Sequence, residues 1–165
     1  MWWGSITQSQ IHSTQLTPLL MNKSGPIIII EDDSDDQLIL GEVFKQLKYS
    51  NKVIFFEDGE EALDYLVKTE IEPFLVLSDI NMPKLTGLEL REKVHNNEDL
   101  RLKSIPYLFF TTSAEQRQVV DAYSRSIQGF FVKPGSFEDN LQMMRKIVEY
   151  WQECQSPNYI KNAQQ

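Results

Sequence analysis

Five short and continuously apolar runs recur along this chain, and they constrain its fold more than any other feature. The runs are Ile27–Ile30, Val53–Phe56, Phe74–Leu77, Tyr107–Phe110 and Phe130–Val132. Longer segments, in which apolar residues recur with a helical period, lie between these runs. A run without polar alternation is typical of a parallel strand that is covered on both faces. The alternation of strands and helices therefore predicts a doubly wound α/β domain, with a five-stranded parallel sheet in the flavodoxin-like order 2-1-3-4-5 and five helices.

The two ends of the chain lack this pattern and set the predicted domain boundaries. Residues 1–24 are rich in Ser, Thr and Gln, without the basic start and apolar run of a secretory signal. We expect a flexible N-terminal extension there, a single domain over residues 25–154 and a C-terminal tail over residues 155–165. Within the domain, Ser113 and Ser136 predict capping boxes at the starts of the last two helices.

Charge and composition exclude several classes of function. The 165 residues include 16 Lys and Arg against 24 Asp and Glu, for a net charge of -8. This balance argues against a nucleic-acid partner, because phosphate backbones are held by clustered cations. No apolar stretch approaches the ~20 residues that span a bilayer, so we expect no membrane partner. The one cysteine, Cys154, suits a reducing compartment and a cytoplasmic location.

Polar side chains follow four of the apolar runs at the point where each run ends. Glu31 and Asp32 follow the first run, Asp79 closely follows the third, Thr111 follows the fourth and Lys133 follows the fifth. In an open α/β sheet, ligands bind beyond the carboxyl ends of the strands, at the point where the strand order reverses. Strands one and three flank that point, so we expect their terminal acids to face each other.

Clustered carboxylates with a hydroxyl and an ammonium group predict phosphoryl chemistry at this edge. Carboxylates at close range repel each other unless a cation intervenes, and Mg²⁺ prefers oxygen ligands of this kind. An aspartate can attack phosphorus and form an aspartyl phosphate. Lys133 and the Thr111 hydroxyl would then bind the oxygens of the phosphoryl group.

At this point the sequence resembles the receiver domain of two-component response regulators, the family with a chemotaxis-regulator-like fold. The resemblance spans residues 26–151, and four motifs in the expected order carry it: residues 27–33, residues 78–83 with Gly87, residues 109–113 and residues 130–134. It implies a stand-alone signalling domain that accepts a phosphoryl group and is not an enzyme with turnover of its own, beyond autophosphorylation and autodephosphorylation.

The resemblance also implies a role for each residue of the acidic cluster. Asp79 is expected to be the phosphoryl acceptor. Glu31, Asp32, Asp79 and the backbone carbonyl of Asn81 are expected to hold a Mg²⁺ or Mn²⁺ ion. Glu31 departs from the commoner Asp at its position and reaches one methylene further.

Three further expectations concern the phosphorylated state and follow from the same resemblance. Thr111 is expected to hydrogen-bond the new phosphoryl group, and Lys133 to pair with it, across a cis Lys133–Pro134 bond. Phe130 takes the place of the family's switch aromatic, although burial in the core explains it equally well. Thr112 stands where many receivers have a smaller residue.

The implied partners are proteins. They are a sensor histidine kinase or a phosphotransfer protein as donor, a downstream protein, and a second copy that binds through the face of the fourth helix, fifth strand and fifth helix. Ser126-Ile127 and other details resemble the stand-alone receivers that are associated with bacterial phytochrome kinases.

Two alternatives remain open from the sequence. One is a Mg²⁺-dependent phosphatase of the haloacid dehalogenase type, although such enzymes place a second Asp where this chain has Asn81. The other is a pseudo-receiver that binds a partner without phosphorylation. Taken alone, the acidic run from Glu31 to Asp36 is also explained as a solvated helix start.

Overall fold

The structure is a computed structural model that describes residues 22–154 and contains five strands and six helices in that range. The strands are β1 (Ile27–Ile30), β2 (Val53–Phe56), β3 (Leu75–Ser78), β4 (Tyr107–Thr111) and β5 (Gly129–Val132). The helices are α1 (Ser34–Leu47), α2 (Gly59–Lys68), α3 (Gly87–Asn96), α4 (Glu98–Lys103), α5 (Gln116–Ser124) and α6 (Phe137–Glu153).

The strands form one parallel sheet in the order β2-β1-β3-β4-β5, as the sequence predicts. The order reverses between β1 and β3, which lie side by side at the centre. Ile30, the last residue of β1, is opposite Ser78, the last residue of β3. The residues that follow these two strands therefore emerge next to each other at one edge of the sheet.

Alternate residues of the strands supply two apolar cores, one on each face of the sheet. The first core joins the β1 residues Ile27 and Ile29 to helices α1 and α6. The second joins Ile28 and Ile30 to helices α2, α3 and α5. Because both faces are covered, every side chain of β1 is buried. The domain is doubly wound, as predicted.

The number of helices differs from the prediction of five. Two consecutive helices, α3 and α4, lie between β3 and β4, so the alternation is not strict. The short helix α4 is capped by Asn97, whose Oδ1 accepts from Leu100 N at 3.0 Å. Of its residues, Leu100 belongs to the core. A helix of six residues is too short to show a helical period in the sequence.

Side-chain caps mark the residues at which some of the helices begin. Ser136 caps α6, and its side chain accepts from Asp139 N, which is one of the two hydrogen bonds of the predicted capping box. The prediction for Ser113 is wrong, because α5 begins at Gln116 and the residue in its cap position, Glu115, makes no side-chain cap. The capping box that the structure does contain joins Thr86 to Glu89 at the start of α3.

The predicted extension and tail lie almost entirely outside the described residues. At the first described residues, the Asn22 side chain donates to the Glu72 carbonyl, and the Lys23 carbonyl accepts from the Asn51 side chain. None of the helices in the described range is both long and apolar enough to cross a membrane.

Candidate functional site

The carboxyl edge of the sheet brings three predicted acids together. Glu31 and Asp32 follow β1, Asp79 follows β3, and one carboxylate oxygen from each lies within 4.8 Å of the other two. Glu31 and Asp79 are buried, whereas Asp32 is exposed. The cluster is thus half enclosed, with one ligand open to solvent.

Backbone contacts fix the Asp79 side chain in this cluster. Its Oδ1 accepts from Ile80 N at 2.6 Å and lies 3.4 Å from Asn81 N, which leaves Oδ2 for other partners. The loop then folds back tightly on Asp79. A Cβ atom at Gly87 would lie 2.0 Å from the Asp79 carbonyl oxygen, so only glycine fits this close approach.

Lys133 connects the acids across the sheet edge. Its Nζ donates to Glu31 Oε2 at 2.5 Å and to Asp36 Oδ2 at 2.7 Å. Its distance to Asp79 Oδ2 is longer, at 3.4 Å. The side chain of Lys133 is 8% exposed, so this ammonium group is a buried cation surrounded by three carboxylates.

Asp36 is the member of this cluster that the sequence analysis did not single out. It lies in the first turn of α1, where acidic residues are common for helix-dipole reasons alone. Its neighbour Asp33 shows that ordinary role, because Asp33 Oδ1 caps the helix by accepting from Asp35 N and Asp36 N. The signal available in sequence was only the acidic run as a whole.

Burial and charge shift two of these groups away from their ordinary titration behaviour. Burial raises the pKa of Glu31 to about 7, although the hydrogen bond from Lys133 lowers it. Burial lowers the pKa of Lys133, but the hydrogen bonds to Asp36 and Glu31 outweigh burial and the net pKa is raised. Lys133 is therefore held in its charged form.

Thr111 ends β4 beside this cluster with an unsatisfied hydroxyl. The residue is fully buried, and its Oγ1 has no hydrogen-bond partner in the described part of the chain. Its carbonyl accepts from Lys133 N at 2.8 Å, which holds the two residues together. A buried hydroxyl without a partner is costly, so this atom is available to hydrogen-bond a polar ligand at the sheet edge. Thr112, in contrast, is exposed.

Two other predicted features lie beside the site. Phe130 is partly buried and packs edge-on against Phe109, with ring centroids 6.3 Å apart.

The expectation of a cis peptide bond between Lys133 and Pro134 is wrong, because the described residues contain no cis peptide bond. A peptide bond before proline prefers the trans form by only ~0.5–1 kcal/mol, so the resemblance alone does not determine its state.

The donor set fits a hard divalent cation. The cluster offers carboxylate oxygens only, which suit Mg²⁺ and Mn²⁺ and not the softer metals that select thiolates. The exposed position of Asp32 leaves room for the waters that Mg²⁺ retains. Asn81 lies in the same loop, two residues beyond Asp79, and its carbonyl stays a predicted ligand.

Comparison with known proteins places this arrangement among signalling domains. The sequence profile of the response regulator receiver domain family matches residues 27–145. The chain is 33% identical to a probable methanogenesis regulatory protein, FilR2 of Methanothrix harundinacea, over 129 residues that cover 76% of this chain and 82% of the relative. It is 29% identical to the response regulator Rcp1 of Synechocystis, with 81% and 95% covered.

Solved structures agree with the sequence comparisons. The Mn²⁺-bound form of Rcp1 superposes with a TM-score of 0.69 at 28% identity, covering 81% of this chain and 98% of the other. The bacteriophytochrome response regulator RtBRR superposes with a TM-score of 0.63 at 32% identity, covering 80% and 82%. The site thus lies in a chain that is similar to phytochrome-associated response regulators.

Proposed function

Because this chain belongs to the response regulator receiver domain family, we propose that it accepts a phosphoryl group on Asp79 and passes a signal to a protein partner. The observation that carries the proposal is the arrangement around Asp79: one carboxylate oxygen free of backbone partners, a buried cation 3.4 Å away and an orphan hydroxyl on the adjoining strand. Membership of this family supports phosphoryl acceptance over the alternative of a haloacid dehalogenase phosphatase.

The proposed reaction is a phosphoryl transfer from a phosphohistidine. Asp79 Oδ2 forms a bond to phosphorus while the bond between phosphorus and the donor's imidazole nitrogen breaks. The electron pair of that bond stays on the nitrogen, which takes up a proton from solvent. Asp79 Oδ1 keeps its hydrogen bond from Ile80 N, so the attacking oxygen is oriented before the donor arrives.

Glu31, Asp32 and Asp79 are the residues that would hold a divalent cation, together with the Asn81 carbonyl. When bound, the cation supplies positive charge that offsets the repulsion between the acids and the incoming phosphoryl oxygens. Glu31 is buried and Asp32 is exposed, so Asp32 is the acid that solvent and an arriving ion meet first.

Lys133 and Thr111 are proposed to bind the phosphoryl group once it is attached. The group brings a charge of about -2 and three strong acceptor oxygens. The Thr111 hydroxyl lacks a partner in the described structure and would gain one. Its movement toward the phosphoryl group would leave space behind β4, and Phe130 on the neighbouring strand is the side chain placed to fill it.

The response is proposed to pass through the face formed by α5, β5 and α6, the predicted face of the fourth helix, fifth strand and fifth helix. Apolar side chains are exposed there, among them Tyr123, Val132 and Tyr150. A downstream protein or a second copy of the chain would bind this face. The donor would be a histidine kinase, with a phytochrome kinase suggested by the similarity to RtBRR, or a phosphotransfer protein. We place the reaction in the cytoplasm, where a kinase finds ATP.

Acetyl phosphate, a small phosphoryl donor, tests this function without a known kinase. We expect intact-mass spectrometry to show one added phosphoryl group on the wild type in Mg²⁺, and none when Mg²⁺ is chelated. Asp79→Asn removes the nucleophile and nearly preserves its shape, so it should gain nothing. Asp64→Asn, at an exposed position on α2, is a matched control that should behave as the wild type. An unmodified wild type, or a modified Asp79→Asn protein, would contradict the proposal.

A further inference from the structure

Carboxylates occupy all three N–H donors of the Lys133 ammonium group. A lysine ammonium carries three N–H donors and accepts nothing. In the structure three carboxylates surround it, at 2.5 Å for Glu31, 2.7 Å for Asp36 and 3.4 Å for Asp79. A phosphoryl group attached to Asp79 brings new acceptor oxygens within reach of Lys133. To bind them, Lys133 must release one of its present partners.

Burial identifies the partner that is released. The Glu31 side chain is 2% exposed, so leaving it without its cation would strand a buried carboxylate, which is costly. The Asp36 side chain is 32% exposed and regains water as soon as Lys133 leaves it. Asp79 carries the phosphoryl group itself. Release of Asp36 is therefore the cheapest exchange open to Lys133.

The metal-binding acids lead to the same assignment. The three acids whose oxygens lie close enough together to share a cation are Glu31, Asp32 and Asp79, and Asp36 is not among them. A cation bound by these acids would balance the charge of Glu31 and Asp79 alongside Lys133, whereas Asp36 keeps its pairing with Lys133. Asp36 is then the carboxylate that retains Lys133 until the phosphoryl group arrives.

We infer that Asp36 is a positioning residue that competes with the phosphoryl group for Lys133 and so limits the stability of the phosphorylated state. This inference rests on the proposed function of Asp79. The stronger the Asp36–Lys133 pair, the less Lys133 gains by turning to the phosphoryl oxygens. Without the Asp36 charge, Lys133 binds those oxygens at a smaller cost.

Asp35 offers a matched control for the loss of charge. It precedes Asp36 in the first turn of α1, carries the same charge and is exposed to solvent. Its backbone N–H donates to Asp33, and its carboxylate is not one of the three that pair with Lys133. Asp35→Asn and Asp36→Asn thus change the net charge and the helix-dipole interaction alike. They differ in the contact with Lys133.

The test measures the affinity of beryllium trifluoride, which binds an aspartate carboxylate in the shape of a phosphoryl group. Titrations in Mg²⁺, followed by fluorine NMR, would compare the wild type with Asp36→Asn, Asp35→Asn and Asp36→Glu. We expect Asp36→Asn to bind at least about threefold more tightly, because it removes a charge-assisted hydrogen bond between the buried Lys133 ammonium group and a partly exposed carboxylate. Asp35→Asn should bind beryllium trifluoride with the affinity of the wild type. Asp36→Glu keeps the charge, so its affinity should be close to that of the wild type.

Each outcome separates this inference from the function on which it rests. If the wild type binds beryllium trifluoride and the two Asn variants have equal affinity, the inference about Asp36 is overturned while the function of Asp79 stands. If the wild type does not bind it at all, both are overturned. Thermal unfolding of each variant without the probe shows whether the fold is intact. A gain in affinity by a folded Asp36→Asn protein cannot come from general damage to the site.

Discussion

Lys133 and Arg91 are cations with little solvent exposure in the described part of the chain, and they differ in the groups that hold them. The side chain of Lys133 is 8% exposed, and Arg91 as a whole residue is 8% exposed. Lys133 is held by carboxylates at the carboxyl edge of the sheet. Arg91 donates from Nε to the Arg125 carbonyl at 3.0 Å and from Nη2 to the Ser126 carbonyl at 2.6 Å. Its guanidinium also lies 5.2 Å from the ring centre of Tyr107.

The difference in partners gives the two cations different functions. Arg91 satisfies the carbonyls that follow α5, a position where a cation also interacts favourably with the helix dipole. Burial lowers its pKa, whereas the carboxylates around Lys133 raise the pKa of that residue. Backbone carbonyls cannot leave, but carboxylates can be exchanged for other anions. We therefore expect Lys133 to carry function and Arg91 to carry stability.

The largest effect that this comparison predicts is on phosphoryl acceptance by Lys133→Met. The variant removes the cation closest to Asp79 while it keeps much of the side-chain length. We expect the rate of modification by acetyl phosphate to fall by about 100-fold, as when one electrostatic partner of a reacting group is removed. Time courses by intact-mass spectrometry measure this rate. An unchanged rate would show that Lys133 is a structural cation like Arg91.

Arg91→Met should lower the stability of the fold and leave the rate of modification unchanged. Removing two charge-assisted hydrogen bonds to the end of α5 is expected to lower the free energy of unfolding by about 2–4 kcal/mol. Modification of Asp79 should proceed at the wild-type rate, because Arg91 lies at the other end of the fold. Urea unfolding and the same time course measure the two quantities. Arg91→Lys keeps the charge but loses the planar fork, so it should be intermediate in stability. An Arg91→Met protein as stable as the wild type would contradict the structural role of Arg91.

The ion pair of the exposed Lys84 with the buried carboxylate of Asp58 provides the smallest expected effect and a reference for Lys133 and Arg91. Lys84 Nζ pairs with Asp58 Oδ2 at 2.6 Å, and the hydrogen bond from Lys84 holds the pKa of Asp58 below its ordinary value of 3.8. Because the folded pKa is depressed, this pair stabilises the fold above the ordinary pKa and loses that effect as the pH falls through the depressed value.

The pH dependence of Lys84→Met tests this sign. Urea unfolding should show the variant slightly less stable than the wild type at neutral pH, with the difference vanishing in strong acid. The caps that Asp58 forms with Glu60 N and Glu61 N remain in both proteins, so they cancel in the comparison. A difference that grows as the pH falls would contradict the depressed pKa of Asp58.

The sequence was sufficient for the part of the site that lies directly at strand ends. Glu31, Asp79, Thr111 and Lys133 each follow an apolar run, and parallel strands end at the same edge of a sheet. Their proximity therefore follows from strand order alone. The same argument predicted the two-faced core, because continuous apolar runs require cover on both sides.

Features that depend on helix packing were beyond the sequence. Asp36 contacts Lys133 only because α1 packs with its first turn against the loop after β5, 97 residues away along the chain. Arg91 lies in the middle of α3, and the carbonyls that it binds follow the end of a different helix, α5. Local periodicity carries no information about such contacts.

The measurement that tests the central claim most directly is chemical trapping of the modified residue. Borohydride reduces an aspartyl phosphate to homoserine, and tryptic cleavage after Lys68 and Lys84 releases residues 69–84, in which Asp79 is the only aspartate. After treatment with acetyl phosphate and Mg²⁺, we predict homoserine at position 79 by tandem mass spectrometry. Homoserine at Asp32 or another acid, with position 79 unchanged, would contradict the account.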